Sequence, residues 1–211
     1  MSAYRTSSDA APYQDGPLAT AELKIVIAGG FGVGKTTLVG SLSEIEPLLT
    51  EEVLTMASEG TDDLEGIGEK STTTVAMDFG RITFDDPRPM VLFLFGTPGQ
   101  ERFWFTWTDL CEGAIGAVVL ADTRRLDDSF AAISFFERRG TPFVVAVNQF
   151  NDGYSYDTDE VREALELPSS VPVLTCDARD YQSSLDVVIA LVRHSLAAAR
   201  SRHSPRLGAP A

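Results

Sequence analysis

Apolar and polar positions fall into blocks along this chain. Strand-like runs occupy Leu23–Ala28, Val75–Thr83, Met90–Phe95, Ala114–Ala121, Phe143–Val147 and Val171–Thr175, and helical stretches begin near Lys35, Glu101, Asp127, Asp157 and Gln182. Two helical starts carry cap signals: Asp127 and Asp128 ahead of Ser129, and Asp157-Thr158-Asp159-Glu160 ahead of Val161. The last helix places Leu185, Val188, Ile189 and Val192 on one stripe, as a helix covering a sheet requires. The order is α/β. Only Phe84-Asp85-Asp86-Pro87-Arg88-Pro89 separates the second and third runs, too short for a crossover helix, so these two strands form an antiparallel hairpin. The pattern predicts a six-stranded, mostly parallel sheet with one antiparallel strand and helices on both faces.

Composition narrows the class. The ends differ from the middle: residues 1–21 are rich in Ser, Ala, Pro and Asp and read as a disordered leader, residues 201–211 as a flexible tail, with one domain over 22–200. A 44% hydrophobic share supports a packed core, and no apolar stretch approaches a membrane span. The first residues lack the apolar centre of a signal peptide, Cys111 and Cys176 are too few for a disulfide framework, and neither end carries a lipidation motif. A cytoplasmic protein is expected, any membrane contact being borrowed through a partner. The net charge of −14 argues against nucleic acid and anionic lipid as partners. Seven carboxylates between Glu51 and Glu69, with no basic residue among them, read as a solvated or mobile segment.

Candidate chemistry begins at the end of the first strand. Gly29-Gly30-Phe31-Gly32-Val33-Gly34-Lys35-Thr36 fits G-x-x-x-x-G-K-[ST], a loop whose backbone N–H groups converge on an anion at the start of a helix. Gly30, Phe31, Gly32, Val33, Gly34, Lys35, Thr36 and Thr37 are therefore candidate nucleotide-binding residues. Lys35 would reach the β- and γ-phosphates, and the Thr36 hydroxyl would ligate Mg²⁺.

This loop, an acidic stretch, a hairpin and then Phe95-Gly96-Thr97-Pro98-Gly99-Gln100-Glu101 together resemble the small GTPase superfamily over Leu23 to Ala199, implying a P-loop NTPase G domain. The resemblance implies that the Gly99 N–H meets a γ-phosphate and that Gln100 orients the attacking water, with Lys35 the second catalytic candidate. Ser71-Thr72-Thr73-Thr74 resembles the first switch, where Thr74, with Thr73 as alternative, would join Thr36 on Mg²⁺. Asn148-Gln149-Phe150-Asn151 stands at the place of the base-reading Asn-Lys-x-Asp, and Ala178 in Thr175-Cys176-Asp177-Ala178-Arg179 at the place of a backbone contact to the base. Asn151 departs from the pattern: an amide cannot accept the guanine N1–H and N2–H₂ together as a carboxylate does. The neighbouring Asp152 could substitute if the loop shifts.

Further departures concern turnover. Gly96 replaces the family's Mg²⁺-site Asp, which leaves the metal to Thr36, Thr74 and phosphate oxygens, and Phe31 puts a ring where a partner's arginine finger would enter. Arg102 and Lys70 are candidate cations in cis. Both departures imply slow GTP hydrolysis to GDP. The motifs, with Asp122-Thr123-Arg124-Arg125-Leu126, are most similar to the actinomycete conservon GTPases, relatives of the bacterial gliding-polarity GTPases. That likeness implies a signalling module working with a roadblock-type regulator and a membrane sensor-kinase-like protein. Phe103, Trp104, Phe105 and Trp107 crowd one helix start, more rings than a helix can point inward, and suit a partner surface.

Overall fold

The computed structural model describes residues 20–46, 48–55, 72–86, 88–99, 105–151 and 153–203, with backbone only at 48–55, 72–76, 105 and 203. Strands are β1 (Ala21–Ala28), β2 (Leu48–Thr55), β3 (Thr72–Phe84), β4 (Met90–Gly96), β5 (Gly116–Ala121), β6 (Phe143–Asn148) and β7 (Val173–Cys176). Helices are α1 (Lys35–Leu42), α2 (Phe105–Leu110), α3 (Phe130–Arg139), α4 (Thr158–Ala164) and α5 (Tyr181–His203), and a 3₁₀ turn (Leu126–Ser129) precedes α3. One sheet takes the order β2-β3-β4-β1-β5-β6-β7.

All six expected strands are present, and β3 alone runs against the rest, antiparallel to both β4 and β2. The seventh strand is β2, at the sheet edge. Its Glu51 and Glu52 begin the acidic stretch that reads from sequence as solvated or mobile, and the structure pairs them instead with Ala76 and Val75. An edge strand needs only one neighbour and leaves charged side chains compatible with water, so charge did not exclude pairing. Residues 56–71, with Lys70, lie outside the described residues, as do 1–19, 204–211, Gln100, Glu101, Arg102, Phe103, Trp104 and Asp152.

Two apolar layers flank the sheet. Ile25, Ile27, Leu92, Leu94, Val118 and Leu120 point to α1 and α5, while Val26, Ala28, Val119, Val145 and Val147 point to α3, α4 and Trp107 of α2. The alternation along β1 shows a strand buried on both faces, as its continuous apolar run implies. On α5 the buried line is Ser184, Val187, Val188, Leu191 and Ser195; Leu185 and Val192 flank it, whereas Ile189 is exposed. The stripe thus lies slightly rotated from the sequence expectation, because two serines occupy helical core positions that an apolar count overlooks. Asp157 caps α4 in a full capping box with Glu160. Asp127 and Asp128, by contrast, sit inside the 3₁₀ turn and give α3 no side-chain cap.

The chain leaves β1 towards β4 on one side and returns to β5 on the other. The crevice at the carboxyl end of β1 is therefore a topological switch point, where such sheets bind ligands. Every candidate residue on the described chain gathers at that edge.

Candidate nucleotide site

The loop after β1 turns on glycines. Gly34 has φ +106°, and a Cβ there would meet Asn148 Nδ2 at 2.6 Å, so its place requires both the backbone freedom and the missing side chain. The loop and α1 share a cavity of about 350 Å³ with the residues after β4, lined by Phe31, Gly32, Gly34, Lys35, Thr36 and Thr37 on one side and Asp78, Thr97, Pro98 and Gly99 on the other. Six of the eight predicted loop residues thus come together with Gly99, while Gly30 is not among the lining and Val33 turns into the core. A Cβ on Gly99 would stand 2.8 Å from Lys35 Nζ and 2.9 Å from Phe31 Cα, a packing that admits only glycine.

Lys35 is buried, and its Nζ donates to the carbonyls of Gly29 (2.9 Å) and Gly30 (2.7 Å). Burial draws its pKa down to about 8, and the nearby Asp78 carboxylate partly offsets this. The ammonium is therefore poised over the anion cavity in a site that penalises its charge, which an incoming phosphate would compensate.

Asp78 is the site residue that the sequence reading missed. It lies on β3 directly opposite Gly96 of β4, is 7% exposed, and accepts a 2.8 Å hydrogen bond from Thr36 Oγ1. A Cβ on Gly96 would stand 2.7 Å from Asp78 Oδ2. The space that a side chain on Gly96 would take is filled by a carboxylate from the adjacent strand. The sequence signal was Asp78 itself, a carboxylate set between the apolar Met77 and Phe79 of β3. Thr97 Oγ1, buried in the same cavity, has no hydrogen-bond partner among the described residues. Two hydroxyls and a carboxylate form an oxygen donor set suited to a hard dication such as Mg²⁺. Thr74 falls in β3 opposite Val53, its side chain being outside the described atoms.

Phe31 is 68% exposed at the cavity mouth, and its carbonyl accepts a 2.8 Å hydrogen bond from Arg125 Nη2. Arg125 follows β5, where Asp122, held well below the ordinary carboxylate range chiefly by Arg124, anchors the turn. Among the described residues Arg125 is the arginine tied to the phosphate loop, a contact that the sequence reading did not foresee, while Arg102 and Lys70, its candidate cations in cis, lie outside the described residues.

A second cavity of about 350 Å³ opens at the ends of β6 and β7. Asn148 joins the two, since it lines this cavity and its Nδ2 donates 2.9 Å to the Val33 carbonyl of the phosphate loop. Its Oδ1 accepts the Ala178 N–H at 3.0 Å. Ala178 is 1% exposed, and the neighbours Asp177 and Arg179 line the cavity in its stead. Asn151 lines it too, with Oδ1 accepting from Arg179 Nη1 at 3.3 Å. Trp107 is buried, stacks on Phe136 and donates Nε1–H to the Pro98 carbonyl at 3.3 Å, so this ring of the aromatic cluster belongs to the core.

Residues 27–198 match the family model described as "Conserved hypothetical ATP binding protein". The chain belongs to that family. An uncharacterized protein of Methanocaldococcus jannaschii is 30% identical over 142 residues, which span 66% of this chain and 77% of that protein. Among solved structures the G domain of FeoB from Methanococcus jannaschii superposes with a TM-score of 0.56 over 84% of this chain and 99% of that one, at 15% identity. That likeness establishes the G-domain fold alone. With the phosphate loop, it makes this chain an α/β P-loop nucleotide-binding protein. Among the described residues no helix is long and apolar enough to cross a membrane.

Proposed function

We propose that the chain is a Mg²⁺-dependent GTP-binding switch that hydrolyses GTP slowly to GDP and phosphate. The observation that carries this reading is the cavity in which Lys35, Thr36, Asp78 and Gly99 converge at the carboxyl end of β1. Lys35 and the loop amides would neutralise phosphate charge, and Thr36, Asp78 and Thr97 would hold Mg²⁺ directly or through its waters, with Thr74 added when the first switch closes. When bound, Mg²⁺ would supply positive charge that offsets the charge of the phosphates. Gln100 would align a water for in-line attack on the γ-phosphorus. The bond from that phosphorus to the bridging oxygen breaks, and GDP leaves with the bridging electrons. Catalysis is electrostatic positioning without a covalent intermediate.

Slow turnover follows from Phe31, whose exposed ring stands at the mouth where a partner's arginine would enter. The motif likeness to conservon GTPases supports a signalling role in the cytoplasm with a roadblock-type regulator and a membrane sensor-kinase-like protein. Single-turnover hydrolysis of labelled GTP, with and without such a regulator, tests the reading: slow release of phosphate that the regulator alters is expected. GTP that stays intact under both conditions would leave a nucleotide-binding adaptor in its place. The family's description favours ATP as a second reading, and competition among GTP, ATP and XTP for the same site separates the two.

A further inference from the structure

The base end of the cleft is lined by side chains that flank the base-contact positions of the motifs, with Asn151 in place of the motif's carboxylate. Arg179 folds back on Asp177, to which Nε and Nη2 each donate at 2.8 Å, while Nη1 reaches Asn151 Oδ1 at 3.3 Å. A guanidinium has five N–H donors. These three bonds leave one N–H free on each terminal nitrogen, and the side chain is 55% exposed beside the cavity. Two remaining donors on a guanidinium anchored by a carboxylate suit the O6 and N7 acceptors of a 6-oxopurine, whereas adenine sets an N6–H₂ donor against one of them. Asn151 contributes differently. With one lone pair of Oδ1 taken by Arg179, its amide offers the cavity the Nδ2 donor and a shared acceptor, so a 2-amino group gains less there than from a free carboxylate.

The wall beside this edge is aromatic. Tyr154 and Tyr156 line the same cavity, with ring centroids 6.3 Å apart, and the Tyr154 carbonyl is fixed by a 3.0 Å bond from Thr123 Oγ1. They are 77% and 46% exposed, which leaves ring faces beside the cavity available to a flat ligand.

We propose that this chain selects 6-oxopurine nucleotides through Arg179, held by Asp177 and Asn151, with Tyr154 and Tyr156 as the stacking wall, and that it discriminates little between guanine, hypoxanthine and xanthine. The inference rests on the nucleotide-binding reading of the phosphate loop. It differs from a guanine-reading carboxylate in both the residue used and the group read.

Displacement of a fluorescent GTP analogue by GTP, ITP, XTP, ATP and inorganic tripolyphosphate tests it, on the full chain with Mg²⁺. GTP, ITP and XTP should compete within about threefold of one another and ATP about 10-fold or more weakly, a single donor clash at a base edge. Arg179→Met should remove the ATP penalty and leave tripolyphosphate competition unchanged, which also reports that the variant is folded. Tyr156→Ala combined with Tyr154→Ala should weaken all four nucleotides about 10-fold and spare tripolyphosphate. ATP competing as well as GTP in the native protein, GTP alone binding tightly, or discrimination surviving Arg179→Met would each overturn the proposal while the phosphate-loop reading stands. Failure of the native protein to bind any nucleotide or tripolyphosphate would instead remove the reading on which it rests.

Discussion

The two ends of the cleft are built on different plans. At the phosphate end eight consecutive residues, Gly29 to Thr36, supply a loop, a cation and a hydroxyl, and the partners across the cavity, Asp78 and Gly99, pack against them to within hydrogen-bond or contact distance. At the base end the residues come from three loops, after β5, β6 and β7, and hold one another: Arg124 lies 3.9 Å over the Phe150 ring, and Arg179 ties Asp177 to Asn151. Phosphate is an invariant ligand met mostly by backbone amides, so its site tolerates little variation. A base is read by side chains, and these can be exchanged provided that the cavity keeps its shape. Asn148 bridges the two through Val33 and Ala178.

The sharpest way to break this contrast is at Lys35. Lys35→Ala should lower the affinity for every nucleotide by at least about 100-fold, the cost of leaving phosphate charge unpaired in a buried site, as read by equilibrium displacement. If base contacts alone kept nucleotide bound, the two ends would be energetically equal and the contrast would fail. Gln100→Ala should slow single-turnover hydrolysis about 100-fold with affinity unchanged, the signature of a group acting only in the transition state; an equal loss of binding would reassign it.

Asp78 sharpens the phosphate end further. Asp78→Asn should cut Mg²⁺-dependent affinity about 10-fold or more while sparing binding in chelator. Gly96→Asp alone should destabilise the fold, since its Cβ would collide with Asp78, whereas Asp78→Gly with Gly96→Asp moves the carboxylate across the strand pair and should recover part of the Mg²⁺ response. Thermal unfolding and Mg²⁺ titration of the four proteins in that cycle decide whether the space or the charge matters.

At the junction, Asn148→Ala should cost about 1 to 3 kcal/mol of stability in denaturant unfolding, because it leaves the Val33 carbonyl and the Ala178 N–H without their side-chain partner in a buried place. The smallest effect concerns pH. Arg179 holds the half-buried Asp177 carboxyl down at about 2, from an ordinary 3.8. A depressed carboxylate contributes fully above its unfolded value and is lost only as pH falls through the folded one. Base discrimination should therefore be constant between about pH 8 and about pH 5, a flat profile in the competition assay. A loss of ATP discrimination within that window would mean that a group other than this pair sets the base edge.

Much of this protein was legible in its sequence wherever the relevant residues are neighbours in the chain. The phosphate loop is one such case, and so are the existence of β1 and β3–β7 as strands, the β3–β4 hairpin and the Asp157 cap. Local spacing dictates backbone geometry, and backbone geometry makes the anion site. The acidic edge strand β2 escaped notice because pairing with β3 outweighs the local signal of charge. Tertiary structure alone decided which carboxylate meets Thr36, since Asp78 lies 42 residues away and reaches it only through the register that sets it opposite Gly96. It also decided that Arg125 holds the phosphate loop and that Arg179 and Asn151 share one edge of the second cavity. Sequence spacing carries the chemistry of one loop, whereas contacts between loops depend on strand register and on the order in which the strands pack, and no local pattern encodes either.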